Sequence, residues 1–211
     1  MKEFGKKQFA AYGLGAVGKD MVYALSASYI MYYYQDILGL SASFVGFILM
    51  IARVFDAAND PFMGVVVAKT NTKWGKFRPW LFTGTILNAF VLYALFAVPA
   101  ISGKALMIYF AVMYILWGVT YTMMDIPFWS MIPAVTSTMK DRENLSVVGR
   151  TCAGAGYALI NVFTVMAVSK LGSGIERTGF RLFALIIAIL FVVFILFTCV
   201  TIHEQKVENM Q

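Results

Sequence analysis

The chain has 211 residues, of which 60% are hydrophobic, 16% aromatic and only 13% charged. A soluble domain usually carries about 25% charged and about 45–50% apolar residues, so composition excludes a soluble enzyme, a disordered chain and a secreted disulfide scaffold. The mean hydropathy of +0.75 and a net charge of +6, from 17 Lys+Arg against 11 Asp+Glu, fit an integral membrane protein. In such a protein basic residues set topology, and no nucleic-acid partner is expected.

Six segments are long and apolar enough to cross roughly 30 Å of hydrocarbon: 9–34, 41–67, 80–98, 105–131, 145–169 and 180–202. Backbone groups in lipid must bond within their own segment, so all are expected to be helices of one all-α transmembrane bundle spanning 1–211. The basic start Met1–Lys7 leads into a long apolar stretch without a small-residue cleavage site, which predicts a first span and not a signal peptide. With the N-terminus inside, Lys2, Lys6, Lys7, Lys69, Lys73, Lys76, Arg78, Lys140, Arg142 and Lys206 fall on the cytoplasmic side, against Lys104, Lys170, Arg177 and Arg181 outside. The balance predicts that both termini are cytoplasmic, although the fifth connection runs against the rule.

In chain order, the first span opens with Gly13-Leu14-Gly15-Ala16-Val17-Gly18. This matches the dinucleotide-binding fingerprint in letters only, because no strand precedes it. Its glycines are expected to let helix backbones approach closely. Lys19 and Asp20 follow directly. The second span carries Arg53, Asp56, Asn59, Asp60 and Pro61, and spacing puts Asp56, Asn59 and Asp60 on one face with Arg53 a turn before. Carboxylate and amide oxygens at close quarters suit a hard monovalent cation, and the neutral oxygen of Asn59 tilts the expectation towards Na⁺. The blander reading is an internal Arg53–Asp56 pair. On the fourth span Tyr121, Thr122, Asp125 and Trp129 form a stripe with a hydroxyl, a carboxylate and an indole. A carboxylate can accept bonds from neighbouring sugar hydroxyls while an aromatic face packs on the C–H side of the ring. Trp129 alone could equally be an interface anchor. Arg150 enters the fifth span at a depth comparable with Asp125. Cys152 and Cys199 lie in separate apolar runs and suggest neither a metal site nor a disulfide. The lone His203 is expected to be an interface residue.

A charge at the centre of a lone helix costs about 2.5–3.5 kcal/mol. Lys19, Arg53, Arg150, Asp20, Asp56, Asp60 and Asp125 are therefore expected to share a polar interior, either as structural salt bridges or as a transport site.

The runs Tyr12–Asp20, Arg53–Pro61, Lys73-Trp74-Gly75-Lys76-Phe77-Arg78-Pro79-Trp80 and Tyr121–Ser130, with Asp141-Arg142-Glu143 and Arg150, together resemble the glycoside–pentoside–hexuronide:cation symporters of the major facilitator superfamily. The Asp125-Ile126-Pro127-Phe128-Trp129 segment is most similar to members that carry melibiose. The resemblance implies a sugar site at Lys19, Asp20, Tyr121, Asp125, Trp129 and Arg150. It implies a cation site at Asp56, Asn59, Asp60 and Thr122, for Na⁺ or else Li⁺ or H⁺. The loop with Lys73, Gly75, Lys76 and Arg78 is implied as a cytoplasmic gating element, beside its plain topological role. No cofactor beyond the coupling cation is implied, and the location is a bacterial inner membrane. Family members have twelve helices in two six-helix halves with the site between them. The expected partners are thus the lipid bilayer, an α-galactoside such as melibiose and a C-terminal six-helix half. Two alternatives stand: a non-transporting half that binds sugar or a partner, and an intramembrane aspartic protease. The protease needs facing carboxylates sharing a proton, whereas Asp56 and Asp60 lie on one helix.

Overall fold

A computed structural model describes residues 5–202 and Glu204; Lys2, His203 and Lys206, named above, lie outside the described residues. The described chain is helical apart from its connections, one of which holds an isolated bridge between Thr72 and Gly75. The helices are α1 (Lys6–Tyr32), α2 (Ala42–Lys69), α3 (Arg78–Phe96), α4 (Gly103–Ser130), α5 (Ile132–Val135), α6 (Met139–Gly172) and α7 (Glu176–Thr201). Five of them, α2, α3, α4, α6 and α7, are long and apolar enough to cross a membrane. With 27 residues α1 has the length, but Lys19, Asp20 and a run of glycines and tyrosines lower its hydropathy.

Local chemistry sets several boundaries. Ser41 caps α2 by accepting from the Phe44 amide at 3.3 Å, and Thr138 caps α6 by accepting from the Asp141 amide at 3.0 Å. The Thr138 cap starts α6 at Met139, so much of the connection expected over 132–144 is helical instead. The charged run Lys140–Glu143 reads as a loop by polarity, yet it is a solvated first turn. Pro61 and Pro127 lie inside α2 and α4, which continue through them.

Close approach of backbones builds the interior. The main neighbours of α1 are α6 and α7, while α3 packs on α4 and α7. A Cβ at Gly13 would lie 2.9 Å from Cys152 Sγ of α6, and one at Gly15 would strike Thr198 Oγ1 of α7. From the opposite side, a Cβ at Gly156 would strike the Val17 carbonyl. The glycine run of α1 therefore does what its spacing predicts for packed membrane helices. Between α3 and α4, the fully buried Asn88 donates from Nδ2 to the Trp117 carbonyl and to Thr120 Oγ1, both at 3.0 Å.

At the far end of the bundle, side chains satisfy the last carbonyls of α3, which have no partner within their own helix. A π-helical turn, Tyr33–Ile37, extends α1 and turns Tyr33 and Tyr34 inward. Their hydroxyls donate to Phe96 and Leu95 at 2.7 and 2.8 Å, and Tyr109 donates to Ala94 at 2.7 Å. Arg177 adds bonds to the carbonyls of Val98 and Pro99 at 2.8 and 3.0 Å. This gives Arg177 a local reason to sit where the charge count disfavours it. By contrast α2 is the least covered long helix, touching mainly α4, and it leaves Phe47, Val54 and Phe62 exposed.

Candidate functional site

An open cavity of about 470 Å³ lies between α1, α4 and α6. Its wall includes Lys19, Asp20, Tyr121, Asp125, Trp129 and Arg150, so the structure brings all six residues expected for the sugar site to one place. Lys19 is 3% exposed. Its Nζ lies 2.7 Å from Asp125 Oδ1 and 3.5 Å from Asp20 Oδ1, and it donates to the Tyr121 hydroxyl at 3.3 Å. One ammonium thus balances two carboxylates, and desolvation makes each member depend on the others. Trp129 lies within cation–π reach of two charges, with Lys19 Nζ 5.0 Å and Arg150 Cζ 5.5 Å from its ring.

The end of α4 is held from α1. The Tyr12 ring stacks on Phe128 at 4.4 Å and meets Trp129 edge-on at 6.5 Å, while its hydroxyl donates to the Phe128 carbonyl at 2.9 Å. Gly149 of α6 makes room for this tyrosine, since a Cβ there would lie 2.7 Å from Tyr12 Cε1. The indole is therefore fixed by buried neighbours before any ligand arrives.

The second cluster lies between α2 and α4. Thr122 donates to Asp60 Oδ1 at 3.1 Å, and Arg53 pairs with Asp56 at 3.5 Å. Asp56 presses on Gly118, where a Cβ would lie 2.8 Å from Oδ1. Asn59 is half-buried and makes no side-chain hydrogen bond among the described residues. The structure thus joins Asp60 to Thr122 and sets Asp56 one turn away on the same α4 face, while Asn59 is not drawn into that contact. The two clusters adjoin: Tyr121 and Thr122 are consecutive, and Arg53 lies 5.8 Å from the ring of Tyr23, itself in the cavity wall.

The connection with Lys73, Gly75, Lys76 and Arg78 is anchored to the end of α7. The Glu204 carboxylate accepts from the amides of Lys76, Phe77 and Arg78 at 2.7, 2.8 and 3.4 Å. Arg78 donates to the carbonyls of Cys199 and Ile202 at 2.6 and 2.7 Å. Gly75 has φ +103°, and a Cβ there would lie 2.5 Å from Glu204 Oε1. Lys73 takes no part in this latch.

Sequence reasoning passed over Tyr23, Gly118 and Glu204. Tyr23 was within reach, because it follows Asp20 by three residues and shares its helix face. Gly118 and Glu204 act across elements distant in sequence, and no spacing announces them.

Residues 11–211 match the family described as MFS/sugar transport protein. The chain belongs to this family. Its relatives include the inner membrane symporter YicJ of Escherichia coli, 32% identical over 83% of this chain and 38% of its own length. The isoprimeverose transporter of Lactiplantibacillus pentosus is 30% identical over 95% of this chain and 42% of its own length. The raffinose carrier protein of Pediococcus pentosaceus is 31% identical over 85% and 31%, respectively. The chain spans about two fifths of the length of the curated relatives it matches first. The family consists of transporters and not enzymes, which removes the protease alternative, and its symporters use a coupling cation. The protein is a multi-pass protein of the bacterial cell membrane.

Proposed function

We propose that the chain forms the six-span N-terminal half of a secondary active sugar:cation symporter, with both termini cytoplasmic and a second six-helix half closing the cavity. The sugar is an α-galactoside such as melibiose, held at Lys19, Asp20, Tyr121, Asp125, Trp129 and Arg150. Asp125 accepts from adjacent hydroxyls, Trp129 packs on the apolar face of the ring, Arg150 donates to a further hydroxyl, and Lys19 holds Asp125 and Asp20 in place beside the sugar. Na⁺, or Li⁺ or H⁺ in its place, is the co-substrate at Asp56, Asn59, Asp60 and Thr122. Lys73, Gly75, Lys76 and Arg78 belong to the gating loop on the cytoplasmic side.

The observation that carries this reading is the adjacency of Tyr121 and Thr122. One faces the cavity and the other bonds to Asp60, so a cation that reorients Asp60 moves the helix that presents Asp125 and Trp129. Binding at two such sites is reciprocally linked. The relative named for raffinose, a sugar with a galactosyl unit, lends support to a galactoside. The test is melibiose titration of protein expressed from its whole open reading frame, with and without Na⁺, Li⁺ or acid. The expected result is a Kd lowered several-fold by a cation; an identical Kd under all conditions overturns the coupling.

A further inference from the structure

The cavity has a neighbouring side chain that the proposed sugar site does not use. Tyr157 of α6 lies two turns beyond Arg150 and one turn beyond Ala153, both in the cavity wall. Seven residues of helix bring Tyr157 back to within about 20° of Arg150, on the same face. The Tyr157 ring lies 6.5 Å from the ring of Tyr23, also in the wall. Its hydroxyl lies 3.3 Å from Ser28 Oγ of α1, and the residue is 40% exposed. Two exposed aliphatic residues of α6, Val162 and Met166, lie about 140° and about 180° round the helix from this face, where lipid would be met.

The arrangement has the character of a sugar platform. Tyr157 offers a flat ring and a hydroxyl pre-set by Ser28, and Tyr23 steadies the ring from the cavity side. Arg53, 5.8 Å from Tyr23 and 51% exposed, adds a donor to the same rim. Aromatic rings present a large rigid surface with a polar handle at one end, which suits the C–H face of a pyranose and its hydroxyl edge.

Resting on the sugar site proposed above, we infer that Tyr157, with Ser28 and Tyr23, forms a second sugar subsite. The ring bound at Asp125 and Trp129 occupies the first subsite, and the ring glycosidically linked to it packs on Tyr157. The protein therefore selects glycosides of two or more rings over single sugars.

The test compares melibiose with methyl α-galactoside, which lacks the second ring, by titration of the protein expressed from its whole open reading frame. Tyr157→Ala is expected to weaken melibiose about tenfold and to leave methyl α-galactoside within about twofold. Tyr157→Phe, which keeps the ring and the fold, is expected to weaken melibiose about two- to threefold with the same indifference to the single sugar. Equal weakening of both sugars, or unchanged affinity for both in either variant, overturns the subsite. If the unaltered protein binds neither sugar, the first-ring site itself fails, a result distinct from loss of selectivity in the variants.

Discussion

Lys19 Nζ lies 2.7 Å from Asp125 Oδ1, which joins α1 to α4 by an ion pair inside the bundle. Asp20 lies 3.5 Å from the same nitrogen. Removing the ammonium leaves two carboxylates without a counter-charge in a poorly solvated place. Lys19→Met is expected to lower stability by about 3 kcal/mol, the lower end for breaking a buried pair, because Asp125 keeps some access to solvent. The double change Lys19→Met with Asp125→Leu should recover part of that loss, since Asp20 still lacks its partner. Thermal unfolding in detergent measures both, and simply additive losses would show that the pair is not coupled.

Two glycines of α6 make a matched contrast. A Cβ at Gly154 meets nothing within 4 Å, whereas one at Gly156 strikes the Val17 backbone carbonyl. Gly154→Ala is expected to be neutral or to stabilise by up to about 1 kcal/mol, the helix-propensity difference. Gly156→Ala must push α6 off α1 and is expected to cost about 1–3 kcal/mol, as overpacking does. Unfolding midpoints of the two variants check the order, and equal effects would argue against this packing.

The loop latch predicts an exchange pattern. Glu204→Ala leaves the amides of Lys76 and Phe77 without their acceptor, so their hydrogen exchange is expected to rise at least about tenfold. Gly75→Ala should act in the same direction, since it combines a positive φ with a clash on Glu204; the backbone penalty is about 1–2 kcal/mol. Hydrogen exchange over 70–78, read against the interior of α3 as an unchanged reference, decides the matter. Unaltered rates in Glu204→Ala would remove the latch.

Periodicity reaches far in a chain of this kind, because a membrane helix must satisfy its own backbone and its sequence then shows length, face and polarity directly. Asp60 and Thr122 illustrate the gain: spacing placed each on a polar face, and the fold then set them 3.1 Å apart. The connection at 132–144 shows a failure of the same method. Its charges suggested a loop, but Thr138 supplies a cap and the charges ride on the first turn of α6.

By itself the sequence determined that the chain is a helical membrane protein. It also marked Lys19, Arg53, Arg150, Asp20, Asp56, Asp60 and Asp125 as the residues with a reason to gather, because an ionised side chain in lipid demands a partner. The tertiary structure decided which partner each one takes. It gave Lys19 to Asp125 at the shorter distance and set Arg150 over Trp129. It also seated Asp56 on Gly118 and fastened the basic loop to Glu204. These pairings depend on how close two helices can come. Glycines such as Gly13, Gly15 and Gly156 set that distance, and their consequence appears only when the opposing surface is in place.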